Sequence, residues 1–281
     1  METFDAEWLT LREPVDHQAR AEDLVALLRE RWIAAGWRQV MDLGSGTGSN
    51  LRYIAPRLPP GQSWTLVDHD PEHVRRLRRL VVPGGVETLS VVSGDLAVTP
   101  FGVEGDAAVD VVTGSALLDL VSEAWLTQLV SRCVEIRCAV YFGLSYDGVI
   151  LWSRTAGEGD DLDIDPDDEL VRDAINEHQR RDKGFGPALG PHASTMAATL
   201  LGSANYGVWL ERSNWRLGQE TRVLSGRLVD GWTRAATTIR PDAAGRILAW
   251  GRRRKASLAA GRSELTVGHR DLLALPPRVA E

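Results

Sequence analysis

Between Trp37 and Tyr146 short apolar runs alternate with stretches of helical spacing, and no other feature of this 281-residue chain narrows its fold so far. Trp37 to Leu43 reads as a strand, Ser49 to Ala55 as a helix, Ser63 to Asp68 as a strand, and Pro71 to Val81 as a helix with proline in its first turn. Val86 to Val92, Ala107 to Thr113 and Ala139 to Tyr146 are further strands, with a helix over Ser122 to Ile136. Strands joined by helices of this length pair in parallel through crossovers, and the helices then cover both faces of the sheet. The expected class is α/β, doubly wound and mostly parallel.

The first strand runs straight into Gly44-Ser45-Gly46-Thr47-Gly48, and a helix follows. Glycine permits the sharp turn and lets a ligand approach backbone without meeting a Cβ. The N–H groups of a helix start would then face that ligand. In an open α/β sheet, ligands sit in this position, at the carboxyl ends of the strands. The dinucleotide fingerprint is G-x-G-x-x-G; here the third glycine comes one residue early and Ser49 stands in its place. Asp68 ends the second strand about twenty residues past the glycines, where a carboxylate can accept from both ribose hydroxyls. Asp95 follows the third strand in Ser93-Gly94-Asp95-Leu96. Each has a plainer alternative: a turn without a ligand, a helix N-cap at Asp68 (for which Asp70 is the better candidate), an ordinary loop aspartate at Asp95.

Gly-x-Gly-x-Gly after Asp42-Leu43, with Asp68 and Asp95 in this order, resembles the class I S-adenosylmethionine-dependent methyltransferases over roughly Trp37 to Tyr146. The resemblance implies a seven-stranded sheet whose last strand is antiparallel, with Val208 and Val267 on the final two strands. It implies that Asp42 helps hold the methionyl end of S-adenosylmethionine and that Asp95 accepts from the adenine amino group. Gly44, Ser45, Gly46 and Gly48 would form the cradle, with His69 and Leu96 beside it. Thr113-Gly114-Ser115 would line the cofactor and face the substrate, continuing into Leu117-Leu118-Asp119-Leu120. The run from Trp8 to Asp16 resembles the segment many of these enzymes fold over the cofactor, and Arg20 is a candidate for its carboxylate. Base-methylating relatives often carry Asn/Asp-Pro-Pro-Tyr/Phe after the fourth strand; Thr-Gly-Ser-Ala stands there instead.

Outside this region the signals are local. Asp16 to Ala35 reads as one amphipathic helix with Asp16 as N-cap and Gly36 as its stop. Asp147-Gly148 reads as a tight hairpin turn into Val149 to Trp152. Gly157 to Glu169 is an acidic loop leading to a helix near Asp167 to Asp182; His192 to Gly202, Glu220 to Arg234 and Asp242 to Leu258 are helical, and Tyr206 to Arg212 and Ser263 to Ala274 are strands. We expect a single domain over residues 1–281, with a cap segment over 1–35 and a lid-like insertion over 153–191. His178 and His192 flank the Gly/Pro segment Lys183 to Pro191 and are candidate general bases. Ser115, Asp119, Gln179 and Lys183 are candidate substrate contacts, and Phe185, between two glycines, a candidate lid residue. The alternative for His178 is a solvated helix face.

Other patterns point nowhere catalytic. His69 and His73 straddle a helix start and do not suggest a metal. Asp161, Asp163, Asp165 and Asp167 alternate like a calcium loop, but Pro166 and Arg172 replace its glycine and bidentate glutamate, so the run reads as a solvated acidic loop. Arg75, Arg76, Arg78 and Arg79, and Arg252 to Lys255, read as helix surfaces. The G-x-S-x-G nucleophile elbow is absent. A net charge of −7 argues against a nucleic-acid backbone as main partner. Cys133 and Cys138 read as reduced core residues, the first ten residues lack the features of a signal peptide, and no apolar run approaches the ~20 residues needed to span a bilayer, so a cytoplasmic protein is expected. The expected activity is methyl transfer from S-adenosylmethionine to a small molecule. The rivals are an RNA or protein methyltransferase, a non-catalytic adenosyl-binding scaffold, and a nicotinamide-dependent dehydrogenase, which the glycine spacing disfavours.

Overall fold

The computed structural model describes residues 5–101, 108–155 and 162–277. The chain opens with two helices. In α1 (Ala6–Ala19) the Asp5 carboxylate accepts from the Glu7 and Trp8 N–H groups, and α2 (Glu22–Ala35) ends on Gly36 in the left-handed conformation that glycine adopts without strain. The single helix expected from Asp16 is therefore two. Arg20 and Ala21 adopt extended backbone between them because buried Asp271 accepts from both the Arg20 Nε (3.0 Å) and the Ala21 N–H (3.1 Å). Asp16 lies inside α1, held by Arg12 and Trp215, and caps nothing.

Next come β1 (Gln39–Leu43), α3 (Ser49–Ile54), β2 (Gln62–Asp68), α4 (Pro71–Leu77), β3 (Val86–Ser93), β4 (Val111–Ser115), α5 (Glu123–Ile136) and β5 (Ala139–Arg154). Asp70 caps α4, with Pro71 at its first position, and Ser122 caps α5. The remainder is α6 (Asp168–Gln179), α7 (Ala193–Ser203), β6 (Gly207–Arg212), β7 (Trp215–Leu217), α8 (Arg222–Ile239), α9 (Ala244–Ala259) and β8 (Ser263–Leu275). The short strand β7 was not expected from the sequence; the expected start of the fourth strand at Ala107 lies outside the described residues.

The sheet runs β3-β2-β1-β4-β5-β8-β6, with β7 against the outer half of β8. Strands β1 to β5 pair in parallel, and β8, last in the chain, is antiparallel to both β5 and β6. This is the expected doubly wound sheet. One face packs α5 and α7 through Leu126, Leu129, Ala197 and Leu201; the other packs α2 and α3 through Leu24, Leu28, Trp32 and Leu51.

The hairpin expected at Asp147-Gly148 does not form. Strand β5 continues for 16 residues, and its register against β8 shifts between Tyr146↔His269 and Ile150↔Val267. Asp147 and Gly148 (φ +88°) are therefore part of a bulge, which bends the strand without reversing it. β5 and β8 run on beyond the parallel sheet, and α6, α8 and α9 pack on this extension through Ile150, Trp152, Ile175, Leu224, Ile247 and Trp250. Among the described residues no helix is long and apolar enough to cross a membrane.

Arg75, Arg76, Arg78 and Arg79 are exposed, as expected, as are Arg252, Arg253 and Lys255, but the acidic run and Arg254 are not a solvated face. Arg254, 3% exposed, donates to Asp163 at 2.8 Å and to Asp168, and its guanidinium lies 4.4 Å over the Trp152 ring. Arg253 binds Asp165 and Asp167, Arg246 binds Asp167, and the Trp250 Nε1–H donates to Asp168. The acidic segment is thus clamped along α9; Asp161 lies outside the described residues.

Candidate functional site

The glycine turn sits at the carboxyl end of β1. Gly44, Gly46 and Gly48 have φ of +64°, +55° and +86°, conformations that side chains with a Cβ rarely adopt. A Cβ on Gly46 would come within 3.2 Å of Leu9 on α1. Three N–H groups of the turn are already engaged: Ser45 donates to the Val67 carbonyl, Gly48 to the Ser45 carbonyl, and Gly46 to Asp68 Oδ2 at 2.7 Å. The turn thus offers open backbone more than spare donors. Asp68, at the end of β2, also accepts from the Asp70 N–H, and His73 Nδ1 lies 3.3 Å from it. Burial pushes its pKa up, but the hydrogen bonds from His73, Asp70 and Gly46 outweigh this and hold it below the usual carboxylate value.

A cleft of about 100 Å³ lies over this turn, floored by Gly44, Gly46, Asp68, His69 and Leu96 and walled by Leu9 and Arg12 of α1. Ser115, at the end of β4, lines it, and Phe185 closes it from the Gly/Pro segment. Phe185 is docked edge-on against Trp125, ring centroids 5.4 Å apart, and the Asp182 carboxylate holds the loop by accepting from Gly184 and Gly186. Asp95 is exposed and outside this lining; its Oδ1 accepts from the Ala97 N–H. Among the described residues no cluster fit to hold a metal ion occurs, His69 and His73 included.

Beneath the turn lies a buried polar chain. Asn50 donates to Asp42 Oδ1 (2.7 Å) and Thr113 Oγ1 (3.0 Å) and accepts from Arg20 Nη1 (3.0 Å). Arg20 is sandwiched between the Tyr53 and Tyr141 rings and paired with Asp271, so the structure places it in the core under the site, off the cleft surface. Two atoms at the ends of this chain have no partner, Asp42 Oδ2 and Arg20 Nη2. Burial pushes the Asp42 carboxyl up to about 7, against the Asn50 and Ser45 hydrogen bonds. An unpaired carboxylate oxygen directly under a glycine turn fits an ammonium group.

A second cleft of about 200 Å³ adjoins the first, and Arg12, Ala116 and Leu120 line both. Asp119, His178, Gln179 and Lys183, all expected at a substrate or catalytic position, line it together. Its other walls include Trp8, from the run expected over the cofactor, and Tyr146, Trp215, Trp232 and His269, which the sequence did not point to. His269 lies on β8 opposite Tyr146. Its Nδ1 is 3.0 Å from the Val267 carbonyl, which can only accept, so Nδ1 carries the proton and Nε2 is an acceptor. Burial, with Arg12 nearby, lowers its pKa to about 3 and keeps the ring neutral. His192 is not with the others; it lines a separate recess with Arg172, Asn176 and Arg180 because the Gly/Pro segment carries it past the bulge of β5.

Residues 40–136 match the methyltransferase domain family, and no curated protein matches the chain. Among solved structures, YcgJ of Bacillus subtilis is 14% identical with a TM-score of 0.50, covering 92% of this chain and 100% of its own. A Geobacter sulfurreducens S-adenosylmethionine-dependent methyltransferase in complex with S-adenosylhomocysteine is 15% identical, TM-score 0.42, covering 99% and 100%. The Mycobacterium tuberculosis cyclopropane synthase MmaA2 is 11% identical, TM-score 0.42, covering 84% and 78%. The sheet order, the glycine turn and the family match agree: residues 40–136 carry a methyltransferase domain, set in a Rossmann-like sheet.

Proposed function

We propose that the protein methylates a small molecule bound in the second cleft, with the cofactor in the first. The observation that carries this is the junction of the two clefts at Arg12, Ala116 and Leu120. About 200 Å³, walled by α1, α6, α8 and the Lys183-to-Pro191 segment, suits a small acceptor and not a duplex or a folded protein surface. A cleft open to the cofactor site also argues against a purely regulatory scaffold. In this reading the whole chain is one catalytic unit, residues 1–35 capping the cofactor and 153–191, with α8, enclosing the acceptor.

S-adenosylmethionine supplies a methyl group already activated by its sulfonium, so the protein's task is placement and exclusion of water. Gly44 and Gly46 give the adenosyl body close approach, Asp68 accepts from the ribose, and Leu96 packs at the base. Asp42 Oδ2 takes the ammonium, while Arg20 acts through Asn50 as a positioning residue. Leu9 and Phe185 exclude water. His178, or His269 through its Nε2, accepts a proton from the acceptor group where one must leave.

Titration calorimetry with S-adenosylmethionine, S-adenosylhomocysteine and NAD tests the cofactor half. The two sulfur ligands should bind and NAD should not, and Asp68→Ala should weaken binding by about 1–3 kcal/mol through lost hydrogen bonds. Turnover of S-adenosylmethionine with small-metabolite pools, and none with total RNA or protein, tests the acceptor half; the reverse pattern overturns it.

A further inference from the structure

Asp119, on the wall of the second cleft, has a buried carboxylate that helix and sheet formation leave unexplained. It sits in a short 3-10 turn, Leu118–Leu120, between the two clefts, and is 7% exposed. Its Oδ1 is buried and has no hydrogen-bond partner. A buried carboxylate oxygen without a donor costs free energy unless something else supplies the donor. Arg12 and Lys183 lie near enough to attract the Asp119 carboxyl, but neither gives Oδ1 a hydrogen bond. Arg12 gives Nε and Nη2 to Asp16, at 2.8 and 3.1 Å, and its guanidinium lies 4.8 Å over the Trp215 ring. The remaining walls mix aromatic side chains, Trp8, Tyr146, Trp215 and Trp232, with aliphatic ones such as Leu144, Ile175 and Leu228, and neutral His269, 4.8 Å from Trp215, presents only an acceptor.

We propose that the second cleft is a receptor for the ammonium head of a small amine, with Asp119 as its counter-ion and the aromatic side chains as its walls. This rests on reading that cleft as the acceptor site. An ammonium group is the ligand that satisfies all three elements at once. It carries charge for the carboxylate, N–H donors for Asp119 Oδ1 and His269 Nε2, and a cation for ring faces. A carboxylate ligand would meet Asp119 with like charge. A neutral hydroxyl would fill the donors' place but forgo the charge and ring-face attraction.

The test uses three matched probes on the full chain saturated with S-adenosylhomocysteine: 2-phenylethylamine, 2-phenylethanol and phenylacetate, titrated at pH 7.5 and followed by calorimetry. The amine should bind at least about tenfold more tightly than the alcohol and phenylacetate weakest, as a charge-assisted hydrogen bond implies. Asp119→Asn should bring the amine to the level of the alcohol while leaving S-adenosylhomocysteine affinity within about twofold, since Asp119 lies outside the first cleft. Equal binding of amine and alcohol, tighter binding of phenylacetate, no binding of any probe, or an unchanged amine affinity in the folded variant overturns the proposal. The wild-type series decides the matter even if the variant does not fold. Should S-adenosylhomocysteine itself fail to bind, the parent reading falls and this one with it; should it bind while the amine is not preferred, only this inference falls.

Discussion

At the residue scale the polar chain under the glycine turn has a measurable electrostatic signature. Asp42 is fully buried, its Oδ2 has no partner, and its carboxyl is pushed up to about 7. A carboxyl whose folded pKa exceeds its unfolded value favours the fold below the unfolded pKa, near 4, and that contribution is lost as pH rises through about 7. In the ligand-free protein the carboxylate at pH 8 is therefore a buried, half-satisfied charge. Asp42→Asn removes the charge and keeps the acceptor for Asn50. Urea midpoints should fall less between pH 5 and pH 8 in the variant than in wild type, while cofactor affinity at pH 8 drops because the ammonium loses its partner. Parallel pH dependence in the two proteins would show that Asp42 is not held in this way. Its neighbour Asp68, held below the usual value by three hydrogen bonds, gives the opposite sign: its stabilisation is present at neutral pH and disappears on acidification.

At the scale of elements, the clamp between the acidic segment and α9 fixes the helices that wall the second cleft. Arg254 is the buried centre, bridging Asp163 and Asp168 under the face of Trp152. Removing one partner of a buried pair leaves the other charges uncompensated, so Arg254→Ala should cost about 3–5 kcal/mol, whereas Arg253→Ala, on a half-exposed side chain, should cost about 1 kcal/mol or less. Denaturant midpoints compare the two directly, and equal losses would refute the clamp. This clamp also shows where sequence legibility ends. Glycines 44, 46 and 48 and the acids at the ends of β1 and β2 are readable because each role is fixed by a short offset from a strand end. The pairing of Asp163 with Arg254 spans 91 positions, and each run alone looks like a solvated face. Asp147-Gly148 carries a genuine local turn signal, but β8 pairs with β5 on both sides of it and turns a hairpin into a bulge. His269 and Trp215 are invisible as site residues because β7 and β8 bring them beside Tyr146 from the far end of the chain.

For the whole molecule, Asp271 joins the chain's two ends. It is fully buried on β8, accepts from Arg20 and the Ala21 N–H where α1 gives way to α2, accepts from the Leu144 N–H at 2.8 Å where β5 starts to bend, and lies 3.3 Å from the Tyr141 hydroxyl. The junction of α1 and α2, the start of the bend in β5 and the last strand are thus tied by one carboxylate. If that is so, the cap and the sheet unfold together, and tryptophan fluorescence and far-UV circular dichroism should give coincident urea transitions in wild type. Asp271→Asn leaves the Arg20 guanidinium buried without a counter-charge and should cost about 3–5 kcal/mol. The variant keeps one carbonyl oxygen, so part of the backbone pairing survives. Arg20→Met added to Asp271→Asn removes the stranded charge and should recover most of the loss, because a buried ion pair replaced as a unit by uncharged groups is often close to neutral. Recovery by the double variant identifies the charge pair as the tie. If the double variant is instead as unstable as the sum of the two single variants, the backbone hydrogen bonds at Ala21 and Leu144 carry the connection, and the ion pair is incidental to it.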